Sequence, residues 1–70
     1  MTYQEAWKYL LGKSVGAKII ASDSDCDKVE YEIVNHQYGL SIFDNGSRIA
    51  FAASEDEFIT HCKQLNLKIA

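Results

Sequence analysis

The sequence predicts an α+β two-layer sandwich: a four-stranded antiparallel meander with an N-terminal and a C-terminal helix packed on one of its faces. Three observations predict it. Both ends carry helix start signals, the middle alternates with a period of two, and an Asn45-Gly46 pair separates two apolar runs. Seventy residues allow a single domain, 1–70, and a chain this short hides only about 60% of the surface its unfolded form exposes.

The first helix opens on Thr2-Tyr3-Gln4-Glu5, the pattern of a capping box in which hydroxyl and carboxylate each accept an orphan amide. Tyr3, Ala6, Trp7, Leu10 and Leu11 then form one stripe of a 3.6-residue period. Gly12 suits the left-handed residue that ends such a helix. Four strands follow. Ala17, Ile19 and Ala21 alternate with Lys18 and Ile20, and Val29, Tyr31 and Ile33 alternate with Glu30, Glu32 and Val34. YGLSIF, DNGS and RIAFAA read as a hairpin whose Asn-Gly turn takes positive φ at both central positions. A regular hairpin pairs Ile42 with Ile49 and Leu40 with Phe51, and sets Phe43 opposite Arg48. The last helix starts at a second box, Ser54-Glu55-Asp56-Glu57, buries Phe58, Ile59, Cys62 and Leu65, and stops at Asn66. The order is αββββα, with residues 67–70 offering a short fifth strand at Leu67-Lys68-Ile69.

In this layout both helices cover the face formed by Ile19, Tyr31, Ile33, Leu40, Ile42, Ile49 and Phe51. The opposite face carries Lys18, Ile20, Glu30, Glu32, Val34, Ser41, Phe43, Arg48, Ala50 and Ala52. An open antiparallel sheet normally shows water a polar set. This one mixes apolar groups with both signs of charge, the composition of an association surface; its plainer reading is ordinary surface with Arg48 resting on Phe43. Tyr9 and Tyr38 also fall off the core pattern.

The stretch SDSDCDK sets Asp23, Asp25 and Asp27 at alternate positions. A helix–loop–helix calcium site is excluded, because Lys28 stands where the turning glycine belongs and Val34 where the bidentate glutamate belongs. Asp and Ser also bond nearby backbone amides, so a solvated turn is the expectation, and weak binding of a divalent cation or contact with a basic partner surface are the sharper alternatives.

Chemistry is sparse. His61 and Cys62 are neighbours on a helix and point about 100° apart, with Cys62 on the buried stripe. Cys26 sits among acids, a poor setting for a nucleophile. His36 reads as a loop residue. No close CxxC or HxxxH spacing marks a zinc site, and the glycines form no phosphate-binding pattern. No catalytic residue, metal or cofactor is expected. A net charge of −3 argues against nucleic acid as a partner, and the apolar runs fall far short of the roughly 20 residues that span a bilayer. Two cysteines, no disulfide framework and no signal-peptide pattern point to the cytoplasm.

The residues therefore point to a non-enzymatic protein that binds another protein, as an inhibitor, adaptor or immunity-type factor of phage or mobile-element kind. The candidate contacts are Asp23, Asp25, Asp27, Glu30, Glu32, Phe43 and Arg48. Two alternatives stand beside it: a nucleic-acid role, as an acidic mimic or a weak single-strand binder, and a homodimeric structural module.

Overall fold

The structure is a computed structural model that describes residues 1–69. Two helices and five strands follow one another as α1 (Tyr3–Leu11), β1 (Lys18–Asp23), β2 (Cys26–His36), β3 (Gly39–Asp44), β4 (Ser47–Ala52), α2 (Glu55–Gln64) and β5 (Leu67–Ile69). The expected α+β class, the antiparallel meander of β1 to β4 and the helices at either end are all present. The fifth strand forms at Leu67–Ile69; position 70 lies outside the described residues.

Strands lie in the order β4-β3-β2-β1-β5, with every pair antiparallel. β4 and β5 therefore run in the same direction on opposite edges, four strand spacings or about 19 Å apart. Parallel strands cannot be joined by a hairpin. The ten residues of α2, about 15 Å of helix, make the crossing over one face. α1 packs beside α2 on that face. Its start is tied to β5: the Met1 ammonium donates to the Ile69 carbonyl at 3.1 Å, and the Tyr3 hydroxyl donates to the Leu67 carbonyl at 2.7 Å.

Helix ends follow their side chains closely. The Glu5 amide donates to Thr2 Oγ1 at 3.1 Å and the Thr2 amide donates to Glu5 Oε1 at 2.8 Å, completing the first capping box. The second box is half made. Glu57 N donates to Ser54 Oγ at 3.2 Å, but the Glu57 carboxylate accepts from Ala53 N, one residue earlier than the motif requires. Gly12 does end α1, yet in the right-handed region (φ −80°), so the expectation of a left-handed glycine there is corrected. Asn66 supplies the left-handed stop of α2 with φ 55°.

The core sits between sheet and helices, around Leu10, Ile33, Leu40, Ile42, Phe58 and Cys62. Trp7 stands against Phe58 with ring centroids 5.7 Å apart. Leu11, expected in the stripe, is exposed because α1 ends there and its side chain leaves the seam. Asn35 is buried, and its amide nitrogen donates to the carbonyls of Lys13 at 2.9 Å and Ser14 at 3.3 Å. That contact holds the α1–β1 connection, and a buried amide is stable only when so satisfied.

One strand departs from the expected register. The turn itself is as read, with Asn45 at φ 51° and Gly46 at φ 85° between Asp44 and Ser47. Phe43 pairs with Arg48 as expected, but Ile42 then pairs with Ala50, Ser41 with Phe51, and Leu40 with Ala52. Ile49 is an extra residue, a β-bulge. Past it every side chain changes face. Ile49 (45% exposed) and Phe51 (36% exposed) leave the core, and Ala52 (1% exposed) enters it with Ala50. The physical reason is volume: α2 packs over β4, and two alanines leave room beneath it for the buried Phe58 ring.

Candidate binding surface

The ladder arranges the uncovered face in transverse rows. Ile20, Glu32, Phe43 and Arg48 form one row across β1 to β4. Lys18, Val34, Ser41 and Phe51 form the next. Four of the seven candidate contacts, Glu30, Glu32, Phe43 and Arg48, share this face. The bulge moves off the core face two residues that period-two counting had sent there, Ile49 and Phe51.

The rings gather at one corner. His36 stacks against Phe43 at 6.4 Å between centroids and 17° between planes, and meets Phe51 edge-on at 6.3 Å and 81°. The Arg48 guanidinium lies 5.7 Å from the Phe51 centroid, so the cation rests on Phe51 and not on Phe43. Such stacking covers apolar surface while leaving the charge in water. Ser41 lies between Val34 and Phe51 in its row and is fully buried, though no helix covers this side. Its larger neighbours close over it, and its Oγ has no hydrogen-bond partner.

The adjoining corner is acidic with an apolar floor. Ile20, Val29 and Phe43 line a shallow depression together with Glu30, Glu32, Asp44 and Lys28. Lys18 Nζ stands 2.6 Å from Glu32 Oε2 in an exposed ion pair, a contact worth about 0–1 kcal/mol. Charge thus alternates across the face, from Arg48 on β4 through Glu30 and Glu32 on β2 to Lys18 on β1.

Asp23, Asp25 and Asp27 stand apart from this face, at the β1–β2 turn. Asp25 N donates to Asp23 Oδ1 at 2.8 Å, an Asx turn. Asp25 Oδ2 accepts from Asn66 Nδ2 at 2.8 Å, and Ser24 N donates to the Asn66 carbonyl at 2.8 Å. Two carboxylates therefore act on the fold itself: Asp23 shapes the turn, and Asp25 fastens it to the end of α2. Among the described residues, no group of three or more His, Cys, Asp or Glu side chains could hold a metal ion.

Cys62 is buried in the core, and burial pushes its thiol up to about 12. At neutral pH it is protonated packing. Cys26 is exposed and far along the chain on the β1–β2 hairpin; both cysteines are free. His36, expected as a loop residue, is the last residue of β2 and part of the aromatic corner. Tyr9 and Tyr38 are exposed, as expected, with Lys13 Nζ 4.8 Å from the Tyr9 ring. No helix among the described residues is long and apolar enough to cross a membrane.

Sequence reading missed His36 and Phe51 as members of the surface. Only the bulge places Phe51 there, and no residue type announces it. The fold and site define a small α+β domain with one sheet face uncovered. No family model, curated protein or solved structure matches the chain.

Proposed function

We propose that this protein acts by binding another protein through the uncovered sheet face, as an inhibitor, adaptor or immunity-type factor without catalysis of its own. One observation carries the reading: Phe43, Phe51 and His36 lie together on a face that neither helix covers, with Arg48 over Phe51. Aromatic side chains and arginine carry most of the energy of protein interfaces when they are desolvated by a partner. An ordinary monomer surface spaces such groups singly. The acids of the β1–β2 turn supply a separate negative edge that a basic surface could meet, and the two free thiols suit a cytoplasmic setting.

Affinity capture from the native host tests this. Paired Phe43→Ala and Phe51→Ala substitution should remove a co-purifying protein that the unaltered chain retains, with the fold intact by circular dichroism. Identical capture by both forms sinks the reading of the open face as the site of a different host protein. Reversal of charge at Asp23, Asp25 and Asp27 asks the same of the turn.

The same three rings favour one other reading, a platform on which single-stranded bases stack. Its weakness is electrostatic. Arg48 and Lys18 are the cations of these rows, and Lys18 is already paired with Glu32. A salt titration with labelled oligonucleotides separates the readings, and no binding at low salt removes this one.

A further inference from the structure

Resting on the open face being a protein-binding surface, we propose that its partner is a second copy of this chain, seated face to face across a two-fold axis parallel to β3. The ladder decides the geometry. One row reads Glu32, Phe43, Arg48 across β2, β3 and β4, and the next reads Val34, Ser41, Phe51. An axis laid along β3 keeps each row level while it exchanges β2 for β4. Arg48 of one copy then faces Glu32 of the other, Phe51 faces Val34, and Phe43 meets its own equivalent.

Each cross-contact occurs twice, as an isologous interface requires. Opposite charges meet, and apolar groups meet apolar groups. The competing arrangement fails on charge. An axis laid across the strands along the first row sets Arg48 on Arg48 and Glu32 on Glu32, which like-charge repulsion disfavours. Shifted to lie between the rows, it sets Glu32 on Val34 and leaves a carboxylate against an apolar group without a counter-charge. The row order Glu-Phe-Arg is self-complementary only about the strand direction.

Size sets the strength. With the axis on β3, only β2, β3 and β4 overlap their counterparts. That patch is three strand spacings wide on a molecule 30 Å in its longest extent, which bounds it at about 400 Å² per partner, roughly half of a standard interface. Small interfaces of this kind belong to weak, concentration-dependent association. Glu32, already 2.6 Å from Lys18, would sit between two cations in the pair.

Sedimentation equilibrium from about 1 µM to 1 mM tests the proposal. The unaltered chain should pass from monomer to dimer in that range. R48E and E32R should each weaken association at least tenfold, and an equimolar mixture of the two should recover it, because both cross-contacts of the mixed dimer again join opposite charges. A chain monomeric throughout, or a mixture no better than its separate components, overturns the proposal. A monomeric chain that still loses a captured host protein on paired Phe43→Ala and Phe51→Ala substitution overturns the self-partner alone and keeps the binding face. Absence of both dimer and capture difference removes the two together.

Discussion

Gly39→Ala is expected to be among the most damaging single-methyl additions to this domain. Gly39 begins β3 opposite His36 and is buried where the end of β4 passes over it. A Cβ there would overlap the carbonyl oxygen of Ala52, and would lie 3.0 Å from its carbonyl carbon and 3.1 Å from Ala53 Cα. All three are backbone atoms, so no side chain can swing aside. Forcing a methyl into a packed site costs about 1–3 kcal/mol. Parting the strands to admit it puts one or two ladder hydrogen bonds at risk, at about 0.5–1.5 kcal/mol each. The reduced freedom of the unfolded chain returns only about 0.4–1 kcal/mol. A net loss of about 3 kcal/mol follows, against a total stability of about 4–10 kcal/mol for a domain of this length. At about 4–8 °C per kcal/mol, thermal unfolding followed by circular dichroism should show Tm lower by about 12–24 °C. Gly12→Ala is the control: its nearest atoms stand 3.5 and 3.6 Å away and its φ is an ordinary −80°, so Tm should hold or rise slightly. A fall of less than about 5 °C for Gly39→Ala would refute the close-approach reasoning.

The bulge predicts an inverted pair of outcomes on β4. Ala52→Asp, placing a carboxylate at a buried site, should cost several kcal/mol and unfold most of the population, whereas Phe51→Ser should cost about 1–2 kcal/mol because that ring is already part exposed; urea titrations giving the reverse order would restore the unbulged register. Thiol titration of the native protein at pH 8 should find one rapidly reacting group, Cys26, with Cys62 reacting only as the chain opens; two equally fast thiols would contradict the buried placement. Glu5 carries a pH dependence. The Thr2 amide, and then the Thr2 hydroxyl, hold its carboxyl below the ordinary 4.5, so its stabilising effect is complete above that value and lost as pH falls through the lowered one. The Tm gap between Glu5→Gln and the unaltered chain should close on acidification; a gap that widens would refute the capping assignment.

Both helix starts were legible because Thr2 and Ser54 act locally, on amides three residues away. The Asn45-Gly46 turn was legible for the same reason, its positive φ values being a property of two residues. Ile49 and Phe51 were not. They are apolar at alternate positions, as a core strand would be, and what moves them outward is the space α2 requires over β4, a tertiary demand. The buried role of Asn35 and the tie of Asn66 to the β1–β2 turn escaped notice likewise, since each side chain is fixed by partners more than twenty positions distant. The candidate surface was therefore half readable: Glu32, Phe43 and Arg48 precede or adjoin the turn and keep its register, while Phe51 lies beyond the irregularity.

That irregularity also bears on the borders of the sheet. Exposed strand borders invite open-ended addition of further strands, the route to fibrils. Here one border is interrupted by Ile49, and the other is divided between β5, three residues long, and the part of β1 from Lys18 to Ile20 that β5 leaves uncovered. Neither offers a long regular ladder on which further strands could be laid. In the face-to-face pair proposed above, the flat side would be used up by a single partner, and assembly would end at two copies.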